Sequence, residues 1–246
     1  MSQLVFAGHP KASLVWHQYV YGRFCKELNL SIQWVTRLSD SKKYLDENKC
    51  DFLFYKSSTG SQIMEDMIGF HIYRNPRDML VSGYYSSKFS HPADNHPVLQ
   101  EHRKKLHQVN MEEGLILEMD YLNDYFNDMR GWCWDNTNIL NIPMEELFSS
   151  PAEILLNTIK IARHMGFLKG YGYERPTYLT EATITRTLDD YSFENLTKRK
   201  KGEEDSKHHF RKGTPNDWKN HWTDKVDKEF TARYGDIIAE YDYDKD

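Results

Sequence analysis

Three short apolar runs, each of strand length, each followed by a basic residue and two of them succeeded by a helical pattern, constrain this chain more than any other feature. Leu4 to Ala7 runs into a tight turn (Gly8, His9, Pro10) with Lys11 at its tip, and a helix starts at Ser13 or Leu14. Cys50 to Tyr55 ends at Lys56. Ile68 to Tyr73 discharges into Arg74, Asn75, Pro76, Arg77 and Asp78, ahead of a helix carrying Met79, Leu80, Val81 and Ser82. Strands alternating with helices predict an α/β fold with a central parallel sheet flanked by helices. Such sheets bind ligands beyond the carboxyl ends of their strands. Lys11, Lys56 and Arg74 would all emerge there, and a helix N-terminus beside Lys11 adds its own positive potential. The expected ligand carries several negative charges, most naturally phosphate.

The remaining elements follow from periodicity. Trp16, Val20, Phe24 and Leu28 recur every four residues and place one apolar stripe on the first helix. Ser31 to Val35 reads as a strand, Ser39 to Asn48 as a short exposed helix, and His91 to Pro97 as a loop positioned to cover a ligand. Glu112 to Arg130 has helical spacing, and Asn138 to Ile142 reads as another strand. Ser150, Pro151 and Glu153 combine an N-cap, a proline at the first helical position and a capping-box glutamate, so a helix is expected to run to about His164. Thr197 to His209 is dominated by charge and is expected to be exposed and mobile. Phe210 to Trp222 mixes basic residues, a glycine, a proline turn and two tryptophans, which suits a binding loop, and Asp224 to Tyr241 reads as a closing helix.

With 246 residues and 39% hydrophobic content, the chain has material for one core, so residues 1–246 are expected to form a single domain. A net charge of -5 argues against a nucleic-acid binder. Three widely spaced cysteines give neither a disulfide framework nor a zinc pattern, and no apolar run approaches the ~18 residues of a membrane span. The first strand begins so early that no signal segment is expected. These features point to a cytoplasmic protein with no membrane or nucleic-acid partner.

A P-loop kinase or NTPase would need the Gly-Lys-Ser/Thr ending whose hydroxyl holds magnesium, and the Lys11 turn lacks it. The charge of the reacting group therefore falls to lysine and arginine, with no metal. Three stretches, HPKASLVW, YRNPRDMLVSGYY and FRKGTPNDWKNHWT, resemble in order and spacing the signature motifs of PAPS-dependent sulfotransferases, especially the cytosolic family. The similarity extends to Met144–Leu147 and to Ser192, Phe193, Glu194, Asn195 and Leu196.

The resemblance implies a P-loop NTPase-like sulfotransferase fold and a sulfuryl transfer from PAPS to a hydroxyl or amine of a small-molecule acceptor, leaving PAP. It implies that Lys11 and the amides of Ala12, Ser13, Leu14 and Val15 hold the 5′-phosphosulfate and that Trp16 stacks on adenine. Arg74 and Ser82 would bind the 3′-phosphate together with Arg211, Lys212 and Gly213, beside Phe210. Phe193 and Leu196, next to Ser192, would wall the purine. Asp217 and Trp218 read as structural, fixing the late loop. Lys11 and Lys56 would neutralise charge on the leaving and transferring oxygens.

The chain departs from its relatives in three places. Ser58 stands where cytosolic members carry the histidine base, so Asp40 and His17 are the candidate general bases, with His91 and His96 on the cover loop behind them. Singly, Asp40 also reads as a helix N-cap and His17 as an exposed helix residue. Leu14 and Val15 replace the usual hydroxyl residues, which predicts weakened cofactor binding. The family's dimer motif is only partly present, with Lys219 and Thr223 matching and Asp224 and Lys228 departing, so a family-type dimer is not expected. Two further readings stand beside this one: a catalytically silent PAP- or PAPS-binding protein, and a P-loop phosphotransferase.

Overall fold

The computed structural model describes residues 3–36, 41–172 and 174–244. Chain contacts divide it into two compact units, Met1–Arg74 with Gly131–Leu196, and Asn75–Arg130 with Thr197–Asp246.

The first unit is built on a five-stranded, wholly parallel sheet. Its strands are β1 (Leu4–Gly8), β2 (Ile32–Val35), β3 (Phe52–Tyr55), β4 (Ile68–Tyr73) and β5 (Ile139–Pro143), in the order β2-β3-β1-β4-β5. Position in the sheet explains composition. β1 and β3 lie inside the sheet and bury every residue, which is why they read as unbroken apolar runs, whereas edge strand β2 exposes Gln33 and Trp34. The register sets Val5 of β1 beside Leu53 and Gly69, and Phe6 beside Phe54 and Phe70. Only glycine fits at position 69, because a Cβ there would stand 1.8 Å from the Val5 carbonyl oxygen.

Helix α1 (Leu14–Glu27) follows β1, and its Tyr21 ring lies 4.6 Å from Phe70. Phe6 stacks on Phe54 at 4.1 Å, so the centre of this core is a block of aromatic rings. Each such ring contributes roughly 1.5–3 kcal/mol by burial. Helix α2 (Ser41–Glu47) connects β2 to β3. Beyond β4 the chain forms α3 (Pro76–Tyr85), α4 (Pro97–Gln108) and α5 (Met111–Met129), which belong to the second unit. After β5 come α6 (Met144–Leu147), α7 (Pro151–His164), α8 (Glu181–Asp190), α9 (Phe193–Thr197) and the closing helix α10 (Asp224–Glu240). The expected cap of α7 is present, with the Ser150 hydroxyl accepting from the Glu153 amide at 3.1 Å and Pro151 in the first turn.

The second unit is helical. Helices α5 and α10 pack through Phe126, Phe230 and Tyr234, with Phe126 and Tyr234 ring centres 4.5 Å apart, and the Tyr234 hydroxyl donates to the Met119 carbonyl. Thr223 caps α10 and donates to Glu112 at 2.6 Å, so this residue of the partial dimer motif serves a contact inside the chain. Glu118 of α5 is completely buried. It accepts from the Ser87 hydroxyl at 2.8 Å and meets His102 of α4 at 2.7 Å, which satisfies both carboxylate oxygens. Among the described residues, no helix is long and apolar enough to cross a membrane.

The expected exposed segment after Thr197 is exposed, but it is also tied down. The Arg199 guanidinium donates to the carbonyls of Glu203, Phe210 and Arg211, and the Gly202 amide donates to the Lys212 carbonyl at 2.9 Å. The charge run therefore folds back on the loop that follows it.

Candidate anion-binding site

In the first unit, the loop after β1 has an unusual backbone. Lys11 (φ 71°) and Ser13 (φ 55°) both adopt the left-handed conformation without being glycine, a state that costs on the order of 1 kcal/mol per residue and is held by its surroundings. Those surroundings come from the neighbouring strands. Ser58, just past β3, donates both its amide and its hydroxyl to the Gly8 carbonyl, each at 3.1 Å. Arg74, at the end of β4 and 8% exposed, donates Nη1 to the Lys11 carbonyl at 3.0 Å. The sheet order places β3 and β4 on either side of β1, so Lys56, Lys11 and Arg74 follow three adjacent strands at their carboxyl ends. That is the arrangement expected from the apolar runs.

Ser13 is the N-cap residue of α1, yet its side chain makes no cap hydrogen bond among the described residues. Its hydroxyl donates instead to the Ala12 carbonyl and lies 3.1 Å from His17 Nδ1. The Ser13 side chain thus leaves the first turn of α1 uncapped, the kind of helix N-terminus that suits an anion. Ala12 is a correction to the expected donor set. It is completely buried and its amide donates to the His9 carbonyl at 3.1 Å, so that amide is engaged within the loop. Leu14 and Val15 are half-buried at the head of the helix.

Trp16 is buried, with its indole N–H donating to the Tyr191 carbonyl at 2.9 Å and its ring edge-on to Phe148 at 4.9 Å. The fold thereby brings Trp16 to the segment that continues into Ser192, Phe193 and Leu196, all half-buried. Ser192 caps that short turn by accepting from the Asn195 amide.

His17 is a second correction. It is 0% exposed, not on an outer helix face, and sits among Phe6, Tyr21, Phe70 and Phe148 with Nδ1 at the Ser13 carbonyl (3.0 Å). Burial holds its pKa down at about 3, opposed by the hydrogen bond at the Ser13 carbonyl. Enclosure away from solvent is a poor setting for a group that must take a proton from a bound acceptor. Asp40 lies outside the described residues. His91 and His96 are exposed on their loop, with rings 6.2 Å apart.

The second unit carries Ser82 and the late loop. Ser82 is half-buried on α3. Arg211 spans Glu204 (2.8 Å) and Asp217 (2.5 Å) and lies over the Tyr85 ring, while Lys212 also reaches Asp217 at 2.5 Å. Burial opposes ionisation of Asp217, but hydrogen bonds from His221, Lys212, Arg211 and Asn220 outweigh it and hold this carboxyl far below its ordinary pKa. Asp217 therefore sets the positions of both cations, the fixing role expected of it. Gly213 takes a left-handed φ of 71° directly after them, and Phe210 is half-buried just ahead of them.

A residue with no distinguishing signal in the sequence anchors this loop. Asp78 looks like an ordinary acid in the first turn of α3, but it is buried and accepts from the Asn216 amide (2.7 Å) and the Trp218 amide (2.9 Å). Arg77 covers the Trp218 ring at 4.8 Å. Replacing Asp78 by alanine takes the acceptor from the buried Trp218 amide and from the amide of exposed Asn216, and is expected to cost roughly 2 kcal/mol, read as a lower urea midpoint with faster proteolysis within 210–222. An unchanged midpoint would show that the loop is held by other contacts.

Comparison with known proteins adds an independent line. The chain matches the model of the sulfotransferase domain over residues 68–242, a span that holds Arg74, Ser82 and the late loop but begins after Lys11 and Lys56. It is 28% identical over 180 residues to a 3-beta-hydroxysteroid sulfotransferase of Cavia porcellus, covering 68% of this chain and 55% of that protein. The chain thus spans about half the length of this curated relative. Mouse sulfotransferase SULT7A1, solved in complex with PAP, superposes with a TM-score of 0.54 at 14% identity, over 97% of this chain and 85% of that one, and shares its fold. With the matched model covering most of the chain, from the start of β4 through the closing helix, the chain belongs to the sulfotransferase domain family.

Proposed function

We propose that this chain is a PAPS-dependent sulfotransferase that moves the sulfuryl group from PAPS to a hydroxyl or amine of a small-molecule acceptor. The observation that carries this reading is the left-handed Lys11 loop at the end of the central strand, gripped by Ser58 and Arg74 and opening onto the uncapped first turn of α1. An anion with charge spread over several oxygens fits such donors, and membership of the sulfotransferase domain family supports reading that anion as a sulfate donor.

PAPS supplies the activated sulfur–oxygen bond. The acceptor oxygen or nitrogen forms the new bond to sulfur, the bond to the 5′-phosphate oxygen breaks, and the acceptor loses one proton. Lys11 and Lys56 stabilise the negative charge that develops on the leaving and transferring oxygens. The amides of Ser13 to Val15 orient the 5′ group. Arg74 has a more particular task than a phosphate contact: by holding the Lys11 carbonyl it fixes the loop that presents Lys11. Ser82, Arg211, Lys212 and Gly213 are assigned to the 3′-phosphate, and Trp16, Phe193 and Leu196 to the adenine, within residues 1–246 acting as one functional domain. With His17 withdrawn, the proton goes to Asp40 or to a histidine of the 91–97 loop.

Ser58 favours a second reading, because a hydroxyl engaged at the Gly8 carbonyl is no base, and a chain without one binds PAP but turns nothing over. Thermal denaturation with PAP, PAPS and ATP plus magnesium, followed by transfer from labelled PAPS to panels of alcohols, phenols and amines, separates the possibilities. The expected result is stabilisation by PAP and PAPS at micromolar concentration together with labelled product. Stabilisation by PAP without product supports the silent binder. Stabilisation by ATP with magnesium and none by PAP, or a PAP dissociation constant in the millimolar range, overturns the proposal.

A further inference from the structure

We infer that His9 and His71 form a neutral positioning pair that sets the Lys11 loop for anion binding. The inference rests on the functional reading above and concerns two residues to which that reading gives no part. His9 is the second residue of the loop's turn and His71 lies in β4, with both side chains completely buried and their Nε2 atoms 2.9 Å apart.

The directions of these hydrogen bonds follow from chemistry. The Trp132 indole N–H, which can only donate, meets Asn141 Oδ1 at 2.8 Å, so that atom is the amide oxygen. His71 Nδ1 lies 3.0 Å from the same oxygen and must therefore carry a proton. In neutral His71 the lone pair is then on Nε2, and His9 donates to it from its own Nε2–H. The chain runs from His9 through His71 to Asn141, where Trp132 also donates, and the His71 ring is further fixed by stacking on Trp132 at 3.8 Å. Protonating His71 at Nε2 would face its new N–H against the His9 N–H at 2.9 Å, and protonating His9 at Nδ1 would place a charge on a completely buried ring. Burial opposes either event, with the pKa of His9 lowered to about 3 and that of His71 well below the ordinary value.

Two buried imidazoles are a costly way to fill space that aliphatic side chains would fill as well. They add direction. The β1–β4 register pairs Ala7 with His71, so His9 reaches back across the end of the sheet to a fixed acceptor. Its carbonyl in turn accepts from the Ala12 amide across the left-handed Lys11. His9 is thus the third grip on a strained loop, beside Ser58 at Gly8 and Arg74 at Lys11.

The test uses the full chain and two substitutions. Gln carries its amide nitrogen near the position of imidazole Nε2, so His9→Gln preserves the donor and His9→Leu removes it. His9→Leu is expected to raise amide hydrogen exchange in the peptide containing Ala12 at least tenfold and to weaken PAP binding at least tenfold, with His9→Gln restoring both. Loss of melting temperature without a change in exchange at Ala12 or in PAP affinity would reduce the pair to packing and overturn the inference, as would a His9→Gln that behaves like His9→Leu. If His9→Leu does not fold, histidine ¹⁵N spectra of the unsubstituted protein decide: Nδ1–H on His71 with Nε2–H on His9 at neutral pH is required, and the opposite tautomers or a charged ring refute it. Exchange and tautomer readouts need no ligand. A parent protein that ignores PAP would therefore overturn the functional reading while leaving the pair open to its own test.

Discussion

Under the proposed function, Lys11→Ala is expected to lower sulfuryl-transfer turnover by about 10²–10³ while leaving the fold intact, the usual effect of removing one preorganised charge from a transition state. The backbone contacts argue that the loop survives the change. Arg74 holds the Lys11 carbonyl and the Ala12 amide holds the His9 carbonyl, and neither bond involves the lysine ammonium. A paired substitution separates chemistry from stability. Position 11 is left-handed at φ 71°, so Lys11→Gly should be as inactive as Lys11→Ala and yet about 1 kcal/mol more stable, because only glycine takes this conformation without strain. Steady-state rates and urea midpoints of the two variants check this. Activity near that of the parent in either would remove Lys11 from the mechanism, and equal midpoints would show that the backbone at position 11 is not strained.

The parts of the fold that are legible in the sequence are those where one local rule decides the outcome. β1, β3 and β4 read as strands because burial on both faces leaves little room for polar residues, and α7 is marked by its serine cap and proline. Helices α4 and α8 escape such rules because their core contacts are few and partly polar: α4 buries Leu99, His102 and Leu106 among charged neighbours, and α8 buries Ile184 and Thr187. His17 misleads for a related reason. The four-residue stripe through Trp16 is accompanied by a second row, His17, Tyr21 and Cys25, which widens the buried face of α1. The cations of the site are legible because parallel topology alone carries strand ends to one edge. The groups that hold those cations are not. Asp78 meets amides 138 and 140 residues away, and His9 meets His71 across 62 residues, distances over which sequence spacing says nothing until strand register is known.

Acid should begin to destabilise this protein well above the range in which carboxylates titrate. His9, His17 and His71 are all completely buried, and burial depresses each pKa from 6.5, to about 3 for His9 and His17 and well below the ordinary value for His71. A depressed folded-state pKa means that the unfolded chain takes up the proton first. The stability these groups contribute is therefore complete above about pH 6.5 and is lost progressively as the pH falls toward 3. Each histidine contributes a slope of up to about 1.4 kcal/mol per pH unit, so three approach about 4 kcal/mol per unit once the pH is well under 6.5. Against a domain stability of roughly 5–15 kcal/mol, that slope exhausts the fold within about one to three and a half units, near pH 3 to 5. Asp217, whose carboxyl is held far below its ordinary value by four hydrogen-bond donors, adds to the loss only below about pH 4. Urea melts from pH 8 to pH 4 should show the free energy level near neutrality and then falling steeply. His17→Phe, which places a similar ring among Phe6, Tyr21, Phe70 and Phe148, should remove about a third of that slope and make the protein more acid-resistant than its parent. A free energy that stays flat from pH 7 to pH 5, or a His17→Phe variant with the parent's slope, would mean that these imidazoles take up protons in the folded state without cost.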